Sequence, residues 1–202
     1  MTNVPPALPH WDMTNVYPAL ESQAFQQAVA SLKAQLDELD GYMAQHRIAP
    51  ATPPGQASSA ALAEIINGYL DRMNATLKLA ETLGSYITAF VSTDSYNTTA
   101  KRLESELDML EVRLHQQQVR FQGWLGCIAD SLPQILEHAG AASEHAFYLN
   151  ELAEQSRYLM SEAEESLAAE LNLSGGNAWS KLQGVICSQL TVPFERQGKV
   201  EK

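Results

Sequence analysis

The side chains here that could bind a metal, attack a carbonyl or move a proton are spaced against each of those uses. None of the five histidines, His10, His46, His115, His138 and His145, is followed by glutamate, so an HExxH zinc helix with its general-base glutamate is excluded. His138 and His145 stand seven residues apart and could share a helical face, but Gly140 interrupts them and neither has a third ligand three or four residues away. His115, among Gln116, Gln117 and Gln118, reads as part of a solvated helix face. Glu164 with Glu165, or Glu104, Glu106 and Asp108, could serve acid–base chemistry, yet close neighbours on a helix diverge and their expected roles are solvation and dipole compensation. Cys127 and Cys187 lack CxxC spacing and can form one bridge at most. No G-x-S-x-G elbow is present, and Ser174-Gly175-Gly176-Asn177 has too few glycines for a phosphate loop. The N-x-S/T triplets at Asn74, Asn97 and Asn172 have no secretory signal to give them meaning. Read residue by residue, the chain offers no catalytic residue, no metal ligand and no assignable substrate-binding residue.

Composition narrows the partners. Thirteen basic residues stand against 24 acidic ones in 202, a net charge of −11 that repels nucleic-acid phosphates and anionic lipid headgroups. With 45% hydrophobic residues, one sizeable core is affordable, and no run nears the roughly 18 to 20 apolar residues that span a bilayer. The two cysteines suit a reducing cytoplasm. No nucleic-acid and no membrane partner is expected.

The elements that must position any site are helical. Four of the nine prolines, Pro5, Pro6, Pro9 and Pro18, fall in residues 1–20 and predict an extended arm whose Trp11, Met13, Val16 and Tyr17 pack on a neighbouring surface. Phe25, Val29, Leu32, Leu36, Leu39 and Met43 step by threes and fours and predict a helix over 22–45. Residues 48–59 (IAPATPPGQASS) break it and offer Ser58 or Ser59 as the next N-cap. Leu62, Ile66, Tyr69, Met73, Leu77, Ala80, Leu83, Ile87 and Phe90 predict a helix of roughly 30 residues, about 45 Å long. It ends at the capping cluster 92–97, and a third helix is expected over 98–131 on Leu103, Leu107, Leu110, Leu114, Phe121, Trp124 or Leu125, and Ile128. Two long neighbours joined by a short turn pack antiparallel.

Shorter pieces follow. Pro133 and Gly140 punctuate one, and a fourth helix from about 143 to 160 carries Phe147, Leu149, Leu152 and Leu159. Ser161 and Glu164 form a capping box that opens a fifth helix with Leu167 and Leu171. Gly175-Gly176 stops it, and a sixth over 178–189 carries Trp179, Leu182, Val185 and Ile186. Leu190, Val192 and Phe194 then alternate with polar residues before Gln197-Gly198, which reads as a β-hairpin whose second strand stops after four residues.

Several segments together resemble a known family. His10-Trp11-Asp12-Met13-Thr14-Asn15-Val16-Tyr17-Pro18 is similar to the W-D-hydrophobic-x-x-hydrophobic-Y-P start of oligoendopeptidase F-type proteins, zinc metallopeptidases of family M3 (M3B type). Residues 86–100 (YITAFVSTDSYNTTA), 120–125 (RFQGWL) and above all 158–179 (YLMSEAEESLAAELNLSGGNAW) resemble its N-terminal helical region, as does 190–199 (LTVPFERQGK). The resemblance implies a parent zinc endopeptidase that hydrolyses short unfolded peptides entering a channel, with a Zn²⁺-bound water as nucleophile and the HExxH glutamate as base. None of those residues falls in this chain, so it is expected to bind no zinc itself and to be inactive alone, walling the channel beside a C-terminal catalytic domain.

The expected architecture is all-α: a bundle of long antiparallel helices, shorter C-terminal helices and a terminal β-hairpin. Its domains read as an arm (1–20), a helical domain (21–189) and a truncated hairpin (190–202) leading to a missing catalytic domain. Apolar surface left for that domain would favour self-association. The competing readings are a stand-alone helical-bundle interaction or scaffold protein and a self-contained hydrolase, the latter without any supporting spacing.

Overall fold

A computed structural model describes residues 12–201 apart from 56, 139 and 197–198. The prolines and Trp11 at the start of the expected arm, His10 and the Gln197-Gly198 turn lie outside the described residues. Three long helices form the body: α1 (Gln23–Gln45), α2 (Ser59–Thr93) and α3 (Thr98–Gly126). Each starts where a short polar side chain caps it: Ser22, Ser58 and Asn97 accept from the backbone N–H of Phe25, Ala61 and Ala100. The chain runs up, down and up again. Tyr42 near the end of α1 donates to the Ile65 carbonyl near the start of α2 at 3.0 Å, whereas Tyr86 near the end of α2 donates to the Tyr17 carbonyl just before α1 at 2.8 Å. Tyr69 of α2 stacks on Phe121 of α3 with centroids 3.7 Å apart, and Gly84 faces Leu107, so α2 and α3 are also antiparallel.

The core follows the stripes set by the sequence: Phe25, Leu32, Leu36, Leu39 and Met43 from α1, Ile66, Tyr69, Leu83 and Ile87 from α2, and Phe121, Trp124 and Leu125 from α3 are buried. Met13 and Tyr17 pack on it, with the Tyr17 ring edge-on to Phe25 and Tyr86. Such tilted aromatic clusters add about 0.5–1.5 kcal/mol per pair to area burial.

Beyond α3 the boundaries differ from the expected ones. α3 ends at Gly126, not 131, and residues 129–131 form a 3₁₀ turn leading into α4 (Leu132–Leu136), where Pro133 sits in the first turn that tolerates it. The expected helix over 143–160 is a 3₁₀ turn (Gly140–His145), α5 (Ala146–Gln155) and a second 3₁₀ turn (Ser156–Tyr158). Gly140 at φ +51° accounts for the late start. Phe147, placed on the apolar stripe by its spacing, is 81% exposed, while Leu149 is buried. Phe147 and Leu149 stand two residues, about 200° of helix, apart, so they cannot share a face; with Leu149 and Ala153 buried, Phe147 turns outward.

The capping box forms as read. The Ser161 hydroxyl accepts from the Glu164 N–H and the Glu164 carboxylate accepts from the Ser161 N–H, opening α6 (Glu162–Ser174). Gly175 alone separates α6 from α7 (Gly176–Gln189), so Gly176 begins the last helix instead of closing the one before. Neither α6 nor α7 holds a buried residue. Residues Leu190–Pro193, expected to open a strand, are not in one; Phe194–Arg196 (β1) and Lys199–Glu201 (β2) pair antiparallel in the register Phe194↔Glu201.

Candidate functional site

Two polar constellations bridge the helices. In the α1–α3 seam, Asp40 accepts from Arg113 Nε at 3.0 Å and Nη2 at 2.6 Å, and from Arg120 Nη2 at 2.8 Å; Arg113 also reaches Asp37 at 2.7 Å. Burial alone would raise the Asp40 carboxyl, but hydrogen bonds from Gln117 and Arg113 and the charges of Arg120 and Arg113 outweigh it and hold it below 3.8. Gln117 itself, assigned to a solvated face, is fully buried and donates to the Leu36 carbonyl at 2.9 Å. It lies three residues after Leu114 and four before Phe121 and so occupies a core slot, a signal already present in the seven-residue gap between those two. With every partner of Asp40 a fixed cation or amide, this network braces the bundle and leaves no free base.

The second constellation lies between α3 and the α6–α7 pair. A groove of about 600 Å³ is lined by Asp108, Glu111, Val112 and His115 from α3 and by residues of 165–177 opposite. Lys181 of α7 meets Asp108 at 2.5 Å and Glu104 at 3.3 Å, and Gln116 donates to the Ser166 hydroxyl at 2.6 Å. Burial would lower the Lys181 ammonium, but the hydrogen bond to Asp108 and the charges of Asp108 and Glu104 raise it above its ordinary 10.5. Burial first, then the Asp108 charge, raises the Glu111 carboxyl, with Lys181 opposing. A second groove of about 610 Å³ separates α7 from the facing ends of α2 and α3, lined by Val91, Lys101, Leu182 and Val185 among others. Neither groove brings together a nucleophile, a base and an orienting group.

The histidines are dispersed. His115 is exposed at the first groove, His138 follows α4, and His145 ends the 3₁₀ turn before α5. Among the described residues no three His, Cys, Asp or Glu side chains could hold a metal ion. Glu104 and Asp108 converge on Lys181, whose ammonium occupies the space between them. This donor set does not fit a catalytic zinc, which takes three protein ligands and an open position. Among the described residues no helix is long and apolar enough to cross a membrane.

What the C-terminal helices do present is an apolar surface. Leu167, Leu171, Trp179, Leu182 and Ile186 are exposed, Trp179 by 71%, and Leu190 and Val192 beyond α7 are exposed as well. Tyr158 and Met160, in the approach to α6, are exposed too. Isolated exposed leucines are ordinary; a run of large apolar side chains along two consecutive helices is the signature of a contact surface.

Residues 129–191 match the oligopeptidase F family model. The match starts at the 3₁₀ turn before α4 and ends just past α7, taking in the apolar surface and residues 158–179 that resemble the family. That segment, about a third of the chain, is what is similar to the family. The three long helices precede the matched segment, and no curated protein and no solved structure matches the chain.

Proposed function

We propose that this chain is the N-terminal channel-wall domain of a zinc-dependent metalloendopeptidase that hydrolyses short unfolded peptides, and that it is non-catalytic alone. The observation that carries the reading is the coincidence of the matched segment 129–191 with the exposed apolar side chains of α6 and α7. An N-terminal domain of a peptidase implies a catalytic partner domain, and an uncovered apolar surface inside the matched segment is where that partner would seat. Long stiff helices of about 35 to 50 Å suit a wall that limits what enters a channel. The domain division proposed is an arm (1–20), a helical domain (21–189) and a joint to the catalytic domain (190–202), with oligopeptides as substrate and the cytoplasm as location.

Zinc chemistry belongs to the partner in this reading: when bound there, the metal polarises the scissile carbonyl and activates water. This chain contributes shape, exclusion of folded substrates and the contact surface. The test has two arms. Purified chain is expected to hold no stoichiometric zinc and to leave an unstructured peptide intact, and its reading frame is expected to continue past Lys202 to an HExxH. One equivalent of tight zinc with chelator-sensitive cleavage by this chain would overturn it, as would a natural stop after Lys202 in a genome with no separately encoded catalytic half.

A further inference from the structure

Among the described α-helices, α6 and α7 alone hold no fully buried residue. They meet the bundle with half-buried side chains, Ala169, Leu173 and Val185 among them, and with polar links from Lys181 to Asp108 at 2.5 Å and Glu104 at 3.3 Å and from Gln116 to Ser166 at 2.6 Å. A groove of about 600 Å³ lies between α3 and α6, and one of about 610 Å³ lies between α7 and the facing ends of α2 and α3. The chain enters the pair through residues 159–161, which are non-helical, with Leu159 and Ser161 in extended conformation. Elements with few buried apolar contacts open at low free energy.

From this we infer that α6 and α7 form an arm that swings on residues 159–161 and is latched against α3 by the single cation Lys181 between Asp108 and Glu104. The inference does not depend on the peptidase reading. Around the latch the facing charges are Lys101, Glu104, Asp108 and Glu111 of α3, with His115 and Glu165 further along the first groove. Lys101 lines the second groove, but Lys181 is the residue of α7 that bonds the α3 carboxylates, so removing it leaves Glu104 and Asp108 without their partner on α7 and only half-buried apolar side chains such as Ala169, Leu173 and Val185 at the contact. The latch ion pairs are partly exposed, with Lys181 34% accessible, so salt weakens them: the screening length falls from about 10 Å at 0.1 M to about 3 Å at 1 M.

The protein carries its own reporters. Its two cysteines are both exposed, Cys127 at the end of α3 and Cys187 in the last turn of α7. Because Lys181 lies against Asp108 near the start of α3, Cys187 sits toward the opposite end of α3 from Cys127, a separation of roughly 40 Å at 1.5 Å per residue. Spin labels on these two sites in the full chain are expected to give one narrow distance distribution at low salt. K181M is expected to broaden that peak, K181R to keep it narrow, and 1 M NaCl to broaden the wild-type peak. Hydrogen exchange separates latching from general stability: in K181M the amides of 162–189 should exchange about two- to fivefold faster, the span available to a partly exposed ion pair, with those of α1 and α2 unchanged. A narrow peak retained in K181M, or a uniform acceleration across all helices, would overturn the latch.

Discussion

The side-chain amide of Gln117 donates to the main-chain carbonyl of Leu36 at 2.9 Å, inside a seam where both residues are fully buried. Leu36 lies within α1, so its carbonyl also faces the helical N–H four residues on, and Gln117 adds a second bond that ties α3 to α1. Gln117→Ala removes both volume and donor and is expected to cost about 2–4 kcal/mol, in the range of core truncations. Gln117→Met keeps the volume and loses the donor, for about 0.5–1.5 kcal/mol. Urea unfolding at constant m checks the order; equal losses in the two variants would mean that volume is not what Gln117 supplies.

The same residue shows what the sequence could and could not tell. Apolar stripes in α1 and α2 were legible because burial there follows strict three- and four-residue steps through Leu32, Leu36, Leu39 and Ile66, Tyr69, Met73. The Ser161 capping box was legible because both of its hydrogen bonds are local. Gln117 was misread because residue type was weighed above its place in the stripe. Phe147 was misread because it was grouped with Leu149, two residues and about 200° away on the helix. The pairs Arg113–Asp40 and Lys181–Asp108 each join positions 73 residues apart, and no local pattern carries such a contact. The apolar side chains of α6 and α7 were legible as residues, but their exposure depends on what packs beside them, which spacing does not encode.

Asp40 should make the fold acid-sensitive. Its folded-state carboxyl titrates below the 3.8 of the unfolded chain, so near that pH the unfolded state binds more protons and stability rises with pH. The contribution is complete above the unfolded value and is lost as pH falls through the lower folded value. Asp40→Asn removes this charge and should flatten the dependence between about pH 5 and pH 2 while lowering stability at neutral pH. Urea midpoints of both proteins across that range provide the measurement; parallel curves would remove Asp40 from the explanation.

Two helical glycines should respond oppositely to alanine. At Gly41, in α1, a Cβ meets nothing within 4 Å, so Gly41→Ala is expected to stabilise by about 0.5–1 kcal/mol through helix propensity. At Gly68, in α2, a Cβ would lie 2.2 Å from the Tyr42 hydroxyl and 2.8 Å from its ring carbon. That ring is held by its bond to Ile65 and by the Arg72 guanidinium 4.4 Å from its centroid. Displacing it forfeits a hydrogen bond and a cation–π contact, together about 1–2.5 kcal/mol, which exceeds the propensity gain. Gly68→Ala should therefore lower the thermal midpoint and Gly41→Ala raise it. A rise in both would show that Tyr42 moves aside freely.

Leu182 and Ile186 stand four apart on α7 and are both about half exposed. Their burial in the isolated chain contributes little, so the double change Leu182→Lys with Ile186→Lys, which adds no negative charge beside Glu104, should alter folding stability by no more than about 0.5 kcal/mol, as for surface sites. The same change places two charges in the middle of the apolar surface, where a second protein would have to desolvate them. If that surface is a contact surface, the wild-type chain self-associates with rising concentration and the double variant stays monomeric in sedimentation velocity. Wild-type chain that remains monomeric at high concentration, or a variant that associates equally, would place self-association elsewhere. A large loss of stability in the variant would instead show that α7 is buried against the bundle more deeply than its exposed Trp179, Leu182 and Ile186 indicate.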